Sequence, residues 1–138
     1  MGKPKGLSMI QILILVLVVF AVGSGVFLVI REERAQTRDA KRMADMARLS
    51  AAFFEMYATD GSYAAAAEGG CSEQGSSVAT CNLGQYLPDI SSFKDPQGGA
   101  YVVQGVPGEG SYVVLFSLER NYNFYPAGTH ALTPQGIQ

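Results

Sequence analysis

The chain has 138 residues, with 10 Lys and Arg against 12 Asp and Glu, a formal net charge of −2 and an apolar fraction of 48%. That length holds one modest domain plus an anchor and excludes a second enzyme-sized domain, because a globular core needs most of about 100 residues to bury enough surface. Beyond residue 60 the basic residues are Lys94 and Arg120, against Glu68, Glu73, Asp89, Asp95, Glu109 and Glu119. A surface that collects phosphates needs the opposite balance, so direct nucleic-acid binding is not expected.

From Leu7 to Ile30 no residue is charged. As a helix this run extends about 36 Å, enough to cross a hydrocarbon core of about 30 Å. It exceeds the roughly 7 to 15 apolar residues of a cleaved secretory signal and ends in Arg31 rather than at a small-residue cleavage site, so a retained membrane or assembly helix is expected. Charge gives a conflicting orientation. Lys3 and Lys5 precede the span, while Arg31, Arg34, Arg38, Lys41 and Arg42 follow it, and a literal positive-inside count puts the carboxyl end in the cytoplasm. Cys71 and Cys81 argue the other way. They are the only cysteines and lie in a polar, Gly/Ser-rich stretch, which favours a disulfide in a head outside the cytoplasm; two free thiols are the alternative.

After the apolar run, residues 31–60 carry interleaved charges and an apolar set at Ala40, Met43, Ala47, Ser50, Phe53, Phe54 and Tyr57, the spacing of one helix face. No Pro or Gly falls between Arg31 and Asp60, so one helix of some fifty residues is expected, stopped by "TDGS" at 59–62. Residues 63–85 read as a long surface loop closed by the two cysteines. Two β-branched and aromatic runs follow, Ala100 to Gln104 and Ser111 to Leu118, joined by a Gly/Pro turn, which is a hairpin signal. "NYNFYP" at 121–126 suggests a third antiparallel strand, and the tail from Ala127 to Gln138 shows no periodicity. The expected fold is α+β: a long N-terminal helix, transmembrane then amphipathic, on a small antiparallel sheet. The expected organisation is a leader at 1–6, the apolar helix at 7–30, its amphipathic continuation at 31–60 and a head at 61–138.

A very short basic leader ending in Gly6, an immediate hydrophobic helix, a charged continuation and a small sheet together resemble the type IV pilins and type II secretion pseudopilins. "KG" followed by "LSMIQ" is similar to the site where prepilin peptidase cuts after glycine, which implies cleavage between Gly6 and Leu7 and N-methylation of Leu7. "RDAKRMADMARLSAAFFEMYATDGSY", from Arg38 to Tyr63, resembles the family's passage from helix into head, and "YLPDISSFKDPQGGAYVV", from Tyr86 to Val103, resembles a segment of G-type pseudopilins. The resemblance covers nearly the whole chain, although the disulfide loop and the tail match only in length and position. It departs at Gln11, where the family usually has a glutamate that meets a neighbour's N-terminal amine. Gln11 then marks either a minor subunit, since certain tip-located members lack the glutamate too, or a lineage that assembles without the ion pair; a tolerated amide near the interface is the other reading. Gly23, Ser24 and Gly25 sit where family filaments can lose helical structure; ordinary close packing of membrane helices is the other reading.

What the resemblance implies is a structural filament subunit. It would be resident in a bacterial cytoplasmic membrane and later in a surface filament, with itself and other pilins as partners. Prepilin peptidase, an assembly platform, its ATPase and membrane lipid complete the expected partners. No catalytic set is apparent: G-x-S-x-G, P-loop and His/Cys pairings are missing, so an enzyme is not expected. His130, the only histidine, falls in the aperiodic tail without neighbouring ligands and reads as a solvated side chain. Asp89, Asp95 and Glu119 could gather near the sheet edge, and G-type pseudopilins bind calcium in the head, but their usual ligand run is not evident; no metal or cofactor is expected. Tyr86, Tyr112, Tyr122 and Tyr125 read as core or sheet-face residues, with adhesion as the alternative. Two rival functions remain: a minor or tip subunit of the same machinery, and an uncleaved, monomeric signal-anchor protein whose head binds a ligand.

Overall fold

The structure, a computed structural model, describes residues 8–138; Gly6 and Leu7, the expected processing site, lie outside the described residues. The chain divides between Ala35 and Gln36 into two compact units, and one helix, α1 (Met9–Asp60, 52 residues), contributes to both. At its start the Gln11 side-chain Oε1 accepts the Ser8 backbone N–H at 2.9 Å. This is the returning arm of a capping box, the glutamine three residues into the helix satisfying a donor that helix geometry leaves orphaned. At its end Gly61 takes a left-handed φ of +71° and donates its N–H to the Tyr57 carbonyl at 2.8 Å. Only a residue without a Cβ enters that conformation freely, so "DG" stops the helix where it does.

The head unit is α+β. Residues 36–60 of α1 pack on a four-stranded antiparallel sheet of simple meander order: β1 (Val102–Gly105), β2 (Val113–Leu118), β3 (Gly128–Thr133) and β4 (Gly136–Ile137). In β2 the buried residues are Val114, Phe116 and Leu118, alternating with more open ones, as a half-buried strand requires. They join Val103, Leu132 and the helix residues Met46, Leu49, Phe53 and Met56 in one core. β2 runs antiparallel to α1. Near its start Tyr112 stacks on Phe53, ring centroids 3.9 Å apart, and just past its end the Glu119 and Arg120 N–H groups bond to Asp39.

Before the sheet, single 3₁₀ turns at Ala64–Ala67, Val78–Thr80 and Ile90–Ser92 compact the connection. Cys71 and Cys81 are joined as a disulfide, and both are buried. Next to that link Gly70 packs so closely on the other arm that a Cβ there would sit 1.6 Å from the Thr80 carbonyl oxygen, so no other residue fits. The stapled segment also closes the outer edge of β1: Val103 donates to Ser76 O and accepts from Gly75 N, each at 2.8 Å, and Val78 N donates to Tyr101 O. An edge strand that would otherwise template aggregation is thereby paired.

Four expectations need correction. The buried face of α1 is Asp39, Arg42, Asp45, Met46, Leu49, Ala52, Phe53 and Met56; of the expected apolar set Phe53 lies in the core and Met43 packs partly buried against it, whereas Ala47, Phe54 and Tyr57 are exposed. Charged side chains occupy the core side because partners in the head neutralise them. "NYNFYP" forms a tight turn, and the third strand lies after it at β3. The tail is structured as β3 and β4. His130 is accordingly buried, between the rings of Phe116 and Tyr125, with Nε2 2.7 Å from the Pro126 carbonyl oxygen.

Candidate functional site: an uncovered apolar helix and a closed ion cluster

In the first unit no residue from Ser8 to Arg34 is buried. Seventeen large apolar side chains between Met9 and Ile30 are open, Phe20 and Phe27 among them, on a segment long and apolar enough to cross a membrane. Its two polar side chains are satisfied within the helix. Gln11 caps the first turn, and the Ser24 hydroxyl reaches the carbonyls of Phe20 at 2.7 Å and Ala21 at 3.1 Å. The helix is unbroken through Gly23 and Gly25, and a Cβ at either would meet nothing within 4 Å. These glycines therefore answer no packing need inside the chain. They leave a shallow place on a surface that is otherwise large side chains, where another helix can approach closely.

The head unit carries a cluster of charges that the sequence does not reveal. Arg42 lies on the buried face of α1, 2% exposed, and its guanidinium forks onto Asp95 through Nε at 2.5 Å and Nη2 at 2.8 Å. Nη1 donates to Asp39 and to Glu119, each at 2.7 Å. Arg38, one turn away, makes a second fork onto Glu119. Asp39 also accepts the two backbone N–H groups at the end of β2, at 3.0 and 2.8 Å. Two guanidinium groups thus face three carboxylates, and the backbone donors on Asp39 offset the excess negative charge. Alongside, Asp45 accepts from the buried Tyr101 hydroxyl at 2.9 Å and from Lys41 at 2.8 Å.

Electrostatics follow the geometry. The Arg38 fork, with Arg42 adding to it, holds the Glu119 carboxyl down at about 2 against partial burial. The Arg42 hydrogen bonds lower Asp95, and in turn the bonds to Asp95 raise Arg42 despite its burial. Burial first, then Asp45, raises the Tyr101 phenol, and burial pushes Tyr112 up to about 12. Charge-assisted, forked bonds of this kind are short and directional. They pin the end of β2 and the turn at Asp95 to one level of α1.

The three carboxylates that could have gathered near the sheet edge are divided: Asp95 and Glu119 are in the cluster, whereas Asp89 pairs with Arg48 at 2.6 Å on the surface. Among the described residues no group of three or more His, Cys, Asp or Glu is arranged to hold a metal ion. Of the four tyrosines, Tyr112 is buried, and Tyr86, Tyr122 and Tyr125 are half-buried against the core. The sequence signal for the cluster was the Asp39–Arg42 pair at i, i+3; its partners stand 53 to 77 residues further on and share no local pattern. No family model, curated protein or solved structure matches the chain.

Proposed function

We propose that the protein is a structural subunit of a type IV pilus-like or pseudopilus-like filament, polymerising through the apolar half of α1. The observation that carries this reading is the uncovered run Met9–Ile30, which continues without a break into the helix that forms one side of the head core. Leaving seventeen large apolar side chains in water costs about 25 to 50 kcal/mol at roughly 1.5 to 3 kcal/mol each, so the segment must have an apolar host. Lipid is the host before assembly, and the same segments of other copies are the host afterwards. A subunit pulled from a bilayer must transmit force from helix to head. The cluster around Arg42 and the core beneath it supply that joint.

In this account prepilin peptidase cuts after Gly6, Leu7 becomes the N-methylated first residue, and a platform with its ATPase performs the extraction. The head folds outside the cytoplasm, where a Cys71–Cys81 disulfide persists. Mass spectrometry of the protein purified from envelopes tests the reading: it expects a chain beginning at N-methylated Leu7, and an intact Met1 or Gly2 on the envelope protein contradicts it. A minor or tip position within the same machinery is favoured by one observation, the engagement of Gln11 in capping its own helix. An uncharged, internally satisfied side chain there has no ion pair to offer a neighbour. Subunit stoichiometry in sheared filaments separates the two positions.

A further inference from the structure

We propose that the heads of two copies dock end to end, Glu109 of one copy entering a cleft between Lys41 and Lys94 of the next. Resting on the filament reading, this contact adds a polar, directional interface to the apolar one. Its basis is a separation of charge along the head. Residues 36–138 hold six basic and ten acidic side chains, unevenly placed. Arg38, Lys41, Arg42 and Arg48 stand together on the first turns of α1 within the head, and Arg120 is tied to the same level by its N–H on Asp39. Lys94 joins them through the segment from Tyr86 to Asp95, which runs back along α1. The Tyr86 hydroxyl donates to Asp60, Asp89 pairs with Arg48, and Asp95 takes the Arg42 fork.

Five carboxylates, Asp39, Asp45, Asp89, Asp95 and Glu119, are paired with these basic groups. The other five, Glu55, Asp60, Glu68, Glu73 and Glu109, have no ion-pair partner among the described residues. Glu55 and Asp60 are on the last turns of α1, and Glu109 belongs to the same end: the adjacent Gly108 carbonyl accepts from Tyr63 N at 2.9 Å, just past the helix. From Lys41 to Asp60 α1 advances about 28 Å. Glu109 therefore cannot reach the lysines of its own chain.

The cleft, about 530 Å³, has Lys41, Ser92, Lys94, Pro96 and Gln97 among its lining residues. Lys94 has no ion-pair partner among the described residues, and the Lys41 ammonium, 56% exposed, gives one N–H to Asp45 and keeps two. Gln97 offers its Oε1 to Arg42, which leaves its amide nitrogen as a further donor. Asp95, the carboxylate in the wall, is held by Arg42 on both oxygens. The cleft thus presents spare donors and no spare acceptor charge. Glu109 is the matching carboxylate: it is exposed at the tip of the β1–β2 connection, between Gly108 and Gly110, with no bulky neighbour to block its approach. Complementary patches at different places on one molecule make a heterologous contact, which adds copies without the two-fold closure of a dimer. Charge pairing of this kind fixes register, which a greasy helix surface does not.

The test uses assemblies of the full chain, formed by removing detergent from an equal mixture of isotopically heavy and light protein and coupled with a carbodiimide, which joins an amine to a carboxylate in contact. Mixed-isotope peptides linking Glu109 to Lys94 or Lys41 are expected. Their yield should fall several-fold as salt rises from about 0.1 to about 1 M, where the screening length shrinks from about 10 to about 3 Å, while the assemblies still sediment. Lys94→Glu should lower the remaining link to Lys41 several-fold, and the double variant K94E/E109K should recover mixed-isotope links between positions 94 and 109. Sedimenting assemblies without links between these residues overturn the docking contact and leave the filament reading standing. Links confined to single-isotope peptides, or a yield indifferent to K94E, do the same. Wild-type protein that stays monomeric after detergent removal overturns both.

Discussion

Replacing Arg42 by alanine removes the one side chain that binds three carboxylates at once. Asp39 would then remain 1% exposed with two backbone N–H donors and no counter-charge, while Asp95 would lose its fork. Breaking a buried ion pair from one side costs about 3 to 5 kcal/mol. Because Glu119 keeps Arg38 and Asp39 keeps its backbone donors, the lower part of that range, about 3 to 4 kcal/mol, is expected here. For a head of this size that lowers the melting temperature by roughly 12 to 32 °C. The assay is thermal unfolding of the full chain in detergent micelles, followed by near-ultraviolet circular dichroism of the tyrosines. Arg48→Ala, which removes an open pair with Asp89 and a guanidinium over the Phe93 ring, should cost no more than about 1 to 2 kcal/mol and lower the midpoint far less. Arg42→Lys should fall between wild type and R42A, since it keeps the charge and loses the fork. An R42A midpoint equal to that of R48A would refute the cluster as the joint between helix and head.

Other predictions follow from the same geometry. The Glu119 carboxyl is held at about 2, below its ordinary 4.5, so the unfolded chain binds the extra proton and stability rises with pH across that window. The contribution is complete above about pH 4.5 and is lost as pH falls toward 2; with screening of a partly exposed group it amounts to about 1 to 2 kcal/mol. Glu119→Gln should flatten that limb of a denaturation series, and an unchanged limb would contradict the assignment. Replacing Cys71 and Cys81 together by serine should cost about 2.5 to 3 kcal/mol through the freed loop, read as a lower denaturation midpoint, whereas an unaltered midpoint would deny the staple any role. Gly70→Ala drives a methyl into the Thr80 carbonyl and should cost about 3 kcal/mol or more, with loss of protection from hydrogen exchange at Val78 and Val103; a variant as stable as wild type would show that the two arms are not in contact.

The long helix was legible because nothing between Arg31 and Asp60 breaks it and Gly61 marks its end. The hairpin of β1 and β2 was legible from its β-branched runs. The buried stripe was not, since Asp39, Arg42 and Asp45 look like solvent-facing charges until Asp95, Glu119 and Tyr101 are folded onto them. "GTHALT" lacks the apolar alternation of β2, and its strand state comes from pairing with that neighbour rather than from its own residues. β4 is two residues long and leaves no periodicity to read. His130 is buried for the same reason, carried inward by a strand whose existence depends on β2. At Gln11 the S-x-x-Q spacing of a capping box was present in "SMIQ", a local role that an interface reading overlooks.

The central claim is that the apolar half of α1 always needs an apolar host and accepts copies of itself when lipid is withdrawn. Removing detergent from the purified full chain in the absence of lipid, then following the product by sedimentation and electron microscopy, tests it directly. The expected result is filaments or large helix-cored assemblies that sediment quantitatively. A stable, freely soluble monomer of 14.7 kDa that retains residues 7–30 would contradict it.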